Sequence, residues 1–283
     1  MNILYCGDLN IEEGMILSIV SVVKNIREAL HIYVFTMELS DVMEGKCYMP
    51  VSESCIEVLD RYVKKKHPAS FVKSYDLTTE FRNELPVENM KTRFTPYCML
   101  RLFADKVDEI PDRILYLDND VLCRKDFTEF YHQNLAGWEF AGVLDYYGSW
   151  FFRQKIHKRD YVNSGVLLFN MDLIRRTKLM QKCRARCMTR RMFMPDQTAL
   201  NKLATTKKLV ERCYNDQRHL HTDTVFQHFT TSFRLLPWLH TITVKPWQTE
   251  RMHSKLKLHE YDDLLPDYED IKTQIAQELK IIG

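Results

Sequence analysis

The chain has 283 residues, 45% of them hydrophobic and 28% charged, with a formal net charge of +2 at pH 7. That length suits one large α/β domain with an appendage, and the near-balanced charge argues against nucleic acid as the main partner. No apolar run reaches the length of a membrane span. The first eight residues lack the basic segment and apolar stretch of an export signal, so eight cysteines without a CxxC pair read as reduced thiols in a cytosol.

Apolar and β-branched runs alternate with helical patterns along the chain. Residues 2–6 read as a strand. It leads into Cys6-Gly7-Asp8-Leu9-Asn10, where Asp8 and Asn10 offer acceptors and donors that suit a base or a ribose; a helix cap is the plain alternative. Residues 15–30 follow as a helix with Ile16, Ile19, Val20, Val23 and Ile26 on one face. Then come a strand at 31–36, a helix at 54–66, a strand at 70–77 and a helix at 96–108. Pro111-Asp112 breaks the chain before a strand at 114–117. Further strands are expected at 139–144 and 165–170, and helices at 172–191 and 196–204. Beyond about residue 220 strands are hard to see, aromatics and histidines are frequent, and an acidic helix closes the chain near 266–280. This order predicts an α/β fold with a Rossmann-like, mixed but mostly parallel sheet flanked by helices. Residues 1–220 form the main domain, and 221–283 a small C-terminal extension packed on it.

The 114–117 strand runs straight into Asp118-Asn119-Asp120. Side chains two apart in an extended chain point the same way, so Asp118 and Asp120 converge. Two hard oxygens at a buried strand end suit Mg²⁺ or Mn²⁺, and a phosphate or diphosphate is the cargo such an ion carries. A solvated turn is the alternative for the triplet taken alone. Ligands of parallel sheets bind at this edge, beyond the C-terminal strand ends.

Four more features accompany the triplet. Asn163-Ser164-Gly165-Val166 feeds a polar group into a buried strand; Gly165 permits close backbone approach, although a bulge would look the same. Pro195-Asp196-Gln197 opens a helix, where Asp196 serves either as an N-terminal charge or at a reacting centre. His228 is a candidate third metal ligand through neutral imidazole. Lys245-Pro246-Trp247 offers a cation for a phosphate, or an ordinary surface lysine. Cys183 and Cys187, four apart, have a spacing that suits either metal or core packing, and packing is the reading adopted.

Taken together these motifs resemble the family 8 retaining glycosyltransferases, the group of bacterial lipopolysaccharide galactosyl- and glucosyltransferases and glycogenin. Tyr-Leu-Asp118-Asn119-Asp120-Val is similar to the family's metal motif. Cys6-Gly7-Asp8-Leu9-Asn10 is similar to its nucleotide loop, and Arg101, seventeen positions before Asp118, to its diphosphate- or sugar-contacting arginine. Asp145 and Asn163-Ser164-Gly165 fall where the family lines the donor sugar. Asp196-Gln197 matches the pair under the anomeric carbon, His228 the metal histidine and Lys245 the diphosphate lysine. Three departures stand out. Thr231 occupies a position where the family often has glycine, Lys245 follows His228 by seventeen residues across an insertion around 233–243, and Tyr97 stands four before Arg101.

The resemblance implies a GT-A fold and a UDP-hexose donor, either UDP-glucose or UDP-galactose. It implies Mn²⁺ or Mg²⁺ on Asp118, Asp120 and His228, and transfer to a glycan, lipid-linked or protein acceptor with an α-linked product. The cofactor-binding set is Cys6, Gly7, Asp8, Asn10, Arg101, Asn119, Asp145, Asn163, Ser164 and Lys245; Asp196 and Gln197 are the catalytic pair. A weakly basic amide makes Gln197 a poor nucleophile, which favours same-face substitution guided by the departing phosphate. Acceptor choice falls to the C-terminal part and to the loop 146–160, rich in aromatics (Tyr146, Tyr147, Trp150, Phe151, Phe152) and a candidate lid. Lys178 to Arg191 contains Lys182, Arg184, Arg186, Arg190 and Arg191. This stretch is either a solvated face or a peripheral docking face for the inner surface of an anionic membrane. Rival readings are a haloacid-dehalogenase-like phosphatase, in which the first Asp of such a motif is the nucleophile, and a non-catalytic sugar-nucleotide-binding protein.

Overall fold

The computed structural model describes residues 1–42, 48–90, 92, 95–146, 160–217, 219–230, 232–234 and 240–282. Its centre is a seven-stranded mixed sheet. The strands are β1 (Asn2–Cys6), β2 (His31–Thr36), β3 (Phe71–Asp76), β4 (Arg113–Leu117), β6 (Phe140–Leu144), β7 (Val162–Asn170) and β8 (Lys207–Leu209), in the order β3-β2-β1-β4-β7-β6-β8. β1, β2, β3 and β4 are mutually parallel, β8 is parallel to β6, and β7 runs antiparallel to both of its neighbours.

Strand residues alternate between two cores. Ile3, Tyr5, Leu115 and Leu117 face one, which holds α1 (Glu12–Asn25), α2 (Glu53–Lys66) and the closing helix Leu265–Ile282. Leu4, Ile114, Tyr116 and Leu167 face the other, covered by the 3-10 helix Pro96–Lys106, α3 (Met171–Thr177), α4 (Leu179–Thr189) and α5 (Pro195–Leu203). The inner strands β1, β2, β4 and β7 are buried on both faces, so they are apolar runs rather than alternating ones, while the edge strands β3 and β8 are partly exposed. Each fully buried Leu or Ile adds roughly 1.5–3 kcal/mol.

Several expected elements differ. α1 starts three residues earlier than expected and ends at Asn25, because Ile26 turns extended. It is buried all round from Gly14 to Val23, Ser18 and Ser21 included. Ser18 Oγ donates to the Val121 carbonyl at 2.7 Å and Ser21 Oγ accepts from the Cys123 amide at 2.9 Å, which lets polar residues sit in that interior. The helix around 96–106 has 3-10 geometry. The helix expected over 172–191 is two, α3 and α4, broken at Lys178, whose φ of 56° is left-handed. Beyond residue 220 the chain does form strands. β5 (Val121–Cys123) pairs antiparallel with β9 (Phe226–His228), and β10 (Ser232–Arg234) with β11 (His240–Ile242). Three residues are too few to display a period of two.

Candidate functional site

The sheet topology collects the singled-out residues on one edge. β1, β4 and β6 end there, and antiparallel β7 begins there. Leu4 is level with Tyr116 and Leu117 with Val166, so Cys6, Asp118 and Gly165 stand side by side. The Asp118 amide donates to the Gly165 carbonyl at 2.8 Å. Across β7, the Asp145 amide donates to the Tyr161 carbonyl at 2.8 Å.

His228 arrives from another direction. The β5–β9 ladder sets Val121 opposite His228, one residue from Asp120. His228 Nε2 lies 3.6 Å from Asp118 Oδ2 and 3.3 Å from Asp120 Oδ1. One ligand atom from each of the three residues falls within 4.8 Å of the others. His228 Nδ1 lies 3.1 Å from Asn215 Oδ1. With Nδ1 turned to Asn215, Nε2 is the ring nitrogen that faces the two carboxylates, and it becomes the ligand atom when an ion displaces its proton. The space is reserved. A Cβ on Gly165 would lie 2.2 Å from His228 Cε1 and 2.9 Å from Asp118 Oδ2. Two carboxylates and one imidazole therefore fit a hard or borderline divalent cation.

Two cations flank this centre. Lys245 Nζ donates to Asp120 Oδ2 and to the Phe229 carbonyl, the latter at 3.4 Å, so the long spacing after His228 still delivers the amine. Burial opposes charge on Asp120, but Lys245 and His228 outweigh it and hold the carboxyl well below the usual range. Arg101 is 3% exposed. Its Nη2 donates to Asp118 Oδ1 at 2.9 Å, its Nη1 to the Ser164 carbonyl at 2.5 Å and its Nε to the Cys98 carbonyl at 2.8 Å. Its guanidinium lies over the Tyr116 ring, 3.8 Å from the centroid. Arg101 is thus committed to the walls of the site and is not a free cation facing a diphosphate.

A hydrogen-bonded network continues toward β7 and α5. Asn163 donates to Asp145 at 2.8 Å and accepts from the Gly165 amide and from Asn215 Nδ2, both at 2.9 Å. Gln197 Oε1 accepts from the Ser164 amide at 2.9 Å and Ser164 Oγ at 3.2 Å, while its Nε2 donates to Asp145 at 3.1 Å. Asp196 accepts from Ser164 Oγ at 3.1 Å and pairs with Arg101 Nε at 3.4 Å. It supports Arg101 and Ser164 from behind, which its helix-opening position alone did not reveal.

The β1 loop is adjacent. Asn119 Nδ2 donates to the Cys6 carbonyl at 2.7 Å, and its buried Oδ1 has no partner among the described residues. Cys6 contributes that carbonyl, while its side chain is buried in the second core. Asp8 is buried and accepts from Asn10 at 2.8 Å; burial pushes its carboxyl up. The Gly7 amide is bound to the Phe35 carbonyl, and a Cβ there would lie 2.2 Å from Ile11. A Cβ on Gly14 would lie 2.5 Å from Trp247 and 2.8 Å from the Asn119 carbonyl, so Trp247 is seated on α1.

Sequence reasoning missed Asn215 and Tyr116. Tyr116 O–H donates to Asp118 Oδ1 at 2.6 Å; the same two-residue parity that pairs Asp118 with Asp120 points to it. Asn215, on a 3-10 turn, carries no such signal. Of the candidate lid, Tyr147, Trp150, Phe151 and Phe152 lie outside the described residues, as does Thr231. The basic stretch also needs a correction. Arg184 is buried, bound to Glu84 at 2.8 Å and to Asp105, and belongs to no solvated face. Cys183 and Cys187 are buried in the core, where desolvation pushes the Cys187 thiol up to about 12.

Comparison with known proteins agrees with this architecture. The pattern of Glycosyl transferase family 8 matches residues 2–251. The lipopolysaccharide 1,2-glucosyltransferase of Escherichia coli (strain K12) is 26% identical over 278 residues, 92% of this chain and 76% of that protein. The probable glycosyl transferase Gly of Streptococcus gordonii is 36% identical over 87 residues, 30% of this chain and 12% of that protein. Among solved structures, the galactosyltransferase LgtC in complex with donor and acceptor sugar analogues superposes with a TM-score of 0.64 at 17% identity, over 94% of this chain and 96% of that one. Glycosyltransferase GlyE of Streptococcus pneumoniae TIGR4 gives 0.64 at 16% identity, over 94% and 63%. These structural likenesses carry the fold, which is of GT-A type.

Proposed function

The chain belongs to glycosyl transferase family 8 and is a glycosyltransferase, and from that premise we propose that it moves glucose or galactose from a UDP-sugar to a hydroxyl of a glycan, glycolipid or protein acceptor. The reaction is metal-dependent and retains the anomeric configuration. The observation that carries this reading is the convergence of Asp118, Asp120 and His228, with Lys245 bound to Asp120 and Arg101 to Asp118. Held by those three ligands, Mn²⁺ or Mg²⁺ supplies Lewis-acid stabilisation of the leaving diphosphate.

The chain's own groups do the rest. Lys245 adds fixed positive charge beside the leaving group, a contribution that reaches about 3–4 kcal/mol for one well-placed donor. Arg101 holds Asp118 and Asp196 in place. Asp145 and Asn163 face the donor sugar, and Asp8, Asn10 and the orphaned Asn119 Oδ1 serve the uridine. Gln197 Oε1 already accepts the Ser164 amide and is a weakly basic amide oxygen, which supports same-face substitution over a glycosyl-enzyme on Gln197. In that route the acceptor hydroxyl passes its proton to the departing phosphate oxygen.

We place the enzyme at the inner face of an anionic membrane. Lys178, Lys182, Arg190 and Arg191 are exposed, as are Met188 and Phe193, and no acidic residue occurs from 173 to 195. A lipid-linked acceptor, as in the name of the Escherichia coli relative, suits that placement.

The test is UDP release with Mn²⁺ across a panel of UDP-sugars, comparing wild type with Asp120→Ala. Release from UDP-glucose or UDP-galactose that Asp120→Ala abolishes is expected, and an α-linked product by NMR. Absence of metal-dependent release from any donor sinks the proposal. Tight UDP-sugar binding without release or transfer selects the non-catalytic reading.

A further inference from the structure

A second cluster of metal-binding groups lies outside the donor site. His253 sits on the π-helical turn Met252–Leu256, which closes at Lys257 with a left-handed φ of 55°. His259 follows, and Asp262 opens the 3-10 turn Asp262–Leu264. His253 Nε2 lies 2.6 Å from Asp262 Oδ1, and His259 Nδ1 lies 3.0 Å from Asp262 Oδ2. The two imidazoles stack with centroids 4.2 Å apart and planes 25° apart. One ligand atom from each residue lies within 4.8 Å of the others. All three side chains reach solvent, at 29%, 63% and 40% exposure, so an ion has an entry path and room for water.

We propose that His253, His259 and Asp262 form a transition-metal site of Zn²⁺ type, distinct from the Asp118–Asp120–His228 centre. Two neutral imidazoles and one carboxylate are a borderline-soft donor set that prefers Zn²⁺ to Mg²⁺ or Mn²⁺. The exchange is chemically simple. The ring nitrogens facing Asp262 give up their protons as the ion enters, to the other nitrogen of the same ring or to water, so both rings bind as neutral imidazoles, and the carboxylate and ring nitrogens move apart by less than about 1 Å to reach Zn–N and Zn–O bonds near 2.0–2.2 Å.

The position gives the site a job. Upstream, the Met252 amide donates to the Gln248 carbonyl at 2.8 Å and the Gln248 amide to the Lys245 carbonyl at 3.0 Å. Downstream, Tyr261 O–H donates to Gln227 Oε1 at 2.8 Å and its ring packs against Phe229, on either side of His228. An ion that pins His253 to His259 and Asp262 closes this strap and braces the two segments that deliver Lys245 and His228.

The test uses the full chain carrying Asp120→Ala, which disables the first centre. Addition of ZnSO4 alone is expected to load one Zn²⁺ per chain by equilibrium dialysis, to raise Tm, and to shift the imidazole NMR signals of His253 and His259. Adding His253→Gln and His259→Gln should weaken Zn²⁺ binding beyond the roughly 10–100-fold that loss of an outer-shell partner costs. Unchanged Zn²⁺ affinity in the double-Gln variant, or no imidazole shift in the Asp120→Ala chain, overturns the proposal. The NMR readout needs no substitution at the cluster, so a folding defect in the Gln variant cannot obscure the result. This inference is independent of the proposed sugar donor.

Discussion

At the scale of single residues, the site depends on side chains that hold its candidate metal ligands in place. Asn215 holds the His228 ring through Nδ1 and reaches Asn163 through its own amide nitrogen. Asn215→Ala frees the ring to flip. The expected result is a 10–100-fold rise in the Mn²⁺ concentration needed for half-maximal UDP release, with kcat largely recovered at saturating Mn²⁺. Circular dichroism of the variant should match wild type. An unchanged Mn²⁺ requirement would show that Asn215 does not position the histidine. The aspartates, the histidine and the lysine of this site were legible because their chemistry and motif order are written locally. Asn215 was not, because its role exists only once β9 has paired with β5, more than a hundred residues from its start.

At the scale of elements, the long strands and helices were legible because both sheet faces are covered and the apolar runs are correspondingly long. Pieces of three residues, β5, β8 and β9, were not. Neither was the break at Lys178, since nothing in Thr-Lys-Leu announces a left-handed residue. A non-glycine residue there costs about 1–2 kcal/mol, and glycine escapes that strain while losing more entropy on folding. Lys178→Gly is therefore expected to leave stability unchanged or raise it by up to about 1 kcal/mol. Lys178→Val, with a branched Cβ, should lower it by a further 1 kcal/mol or so. Urea denaturation midpoints for the two variants check this. Equal midpoints would show that α3 and α4 can rejoin without the turn.

At the scale of the molecule, stability and function pull apart across the sheet edge. Asp8 is buried, which holds its carboxyl above the ordinary range. Its ionisation therefore opposes folding at neutral pH, and that cost vanishes below its unfolded pKa of about 3.9. Asp120 has the opposite sign. Despite burial, Lys245 and His228 depress it, so its stabilisation is present above about 3.9 and is lost as pH falls through the lower folded value. Asp8→Asn should raise the Tm of the ligand-free chain at pH 7, and the gain should shrink toward zero near pH 3–4. The same variant should bind UDP more weakly. Calorimetric scans from pH 4 to 8 test the first claim, and a pH-independent gain would refute its electrostatic origin.

The β5–β9 ladder has a topological consequence. His228 and the aspartate pair are separated by more than a hundred residues of chain, and β5–β9 is only three residues long. A cation shared by Asp118, Asp120 and His228 would thus be a removable cross-link that closes a very long loop, the kind of closure that most restricts an unfolded chain. Such an ion would act as a fastener as well as a Lewis acid, and its removal would relax the β5–β9 junction while the closing helix Leu265–Ile282 stays packed on α1 and α2.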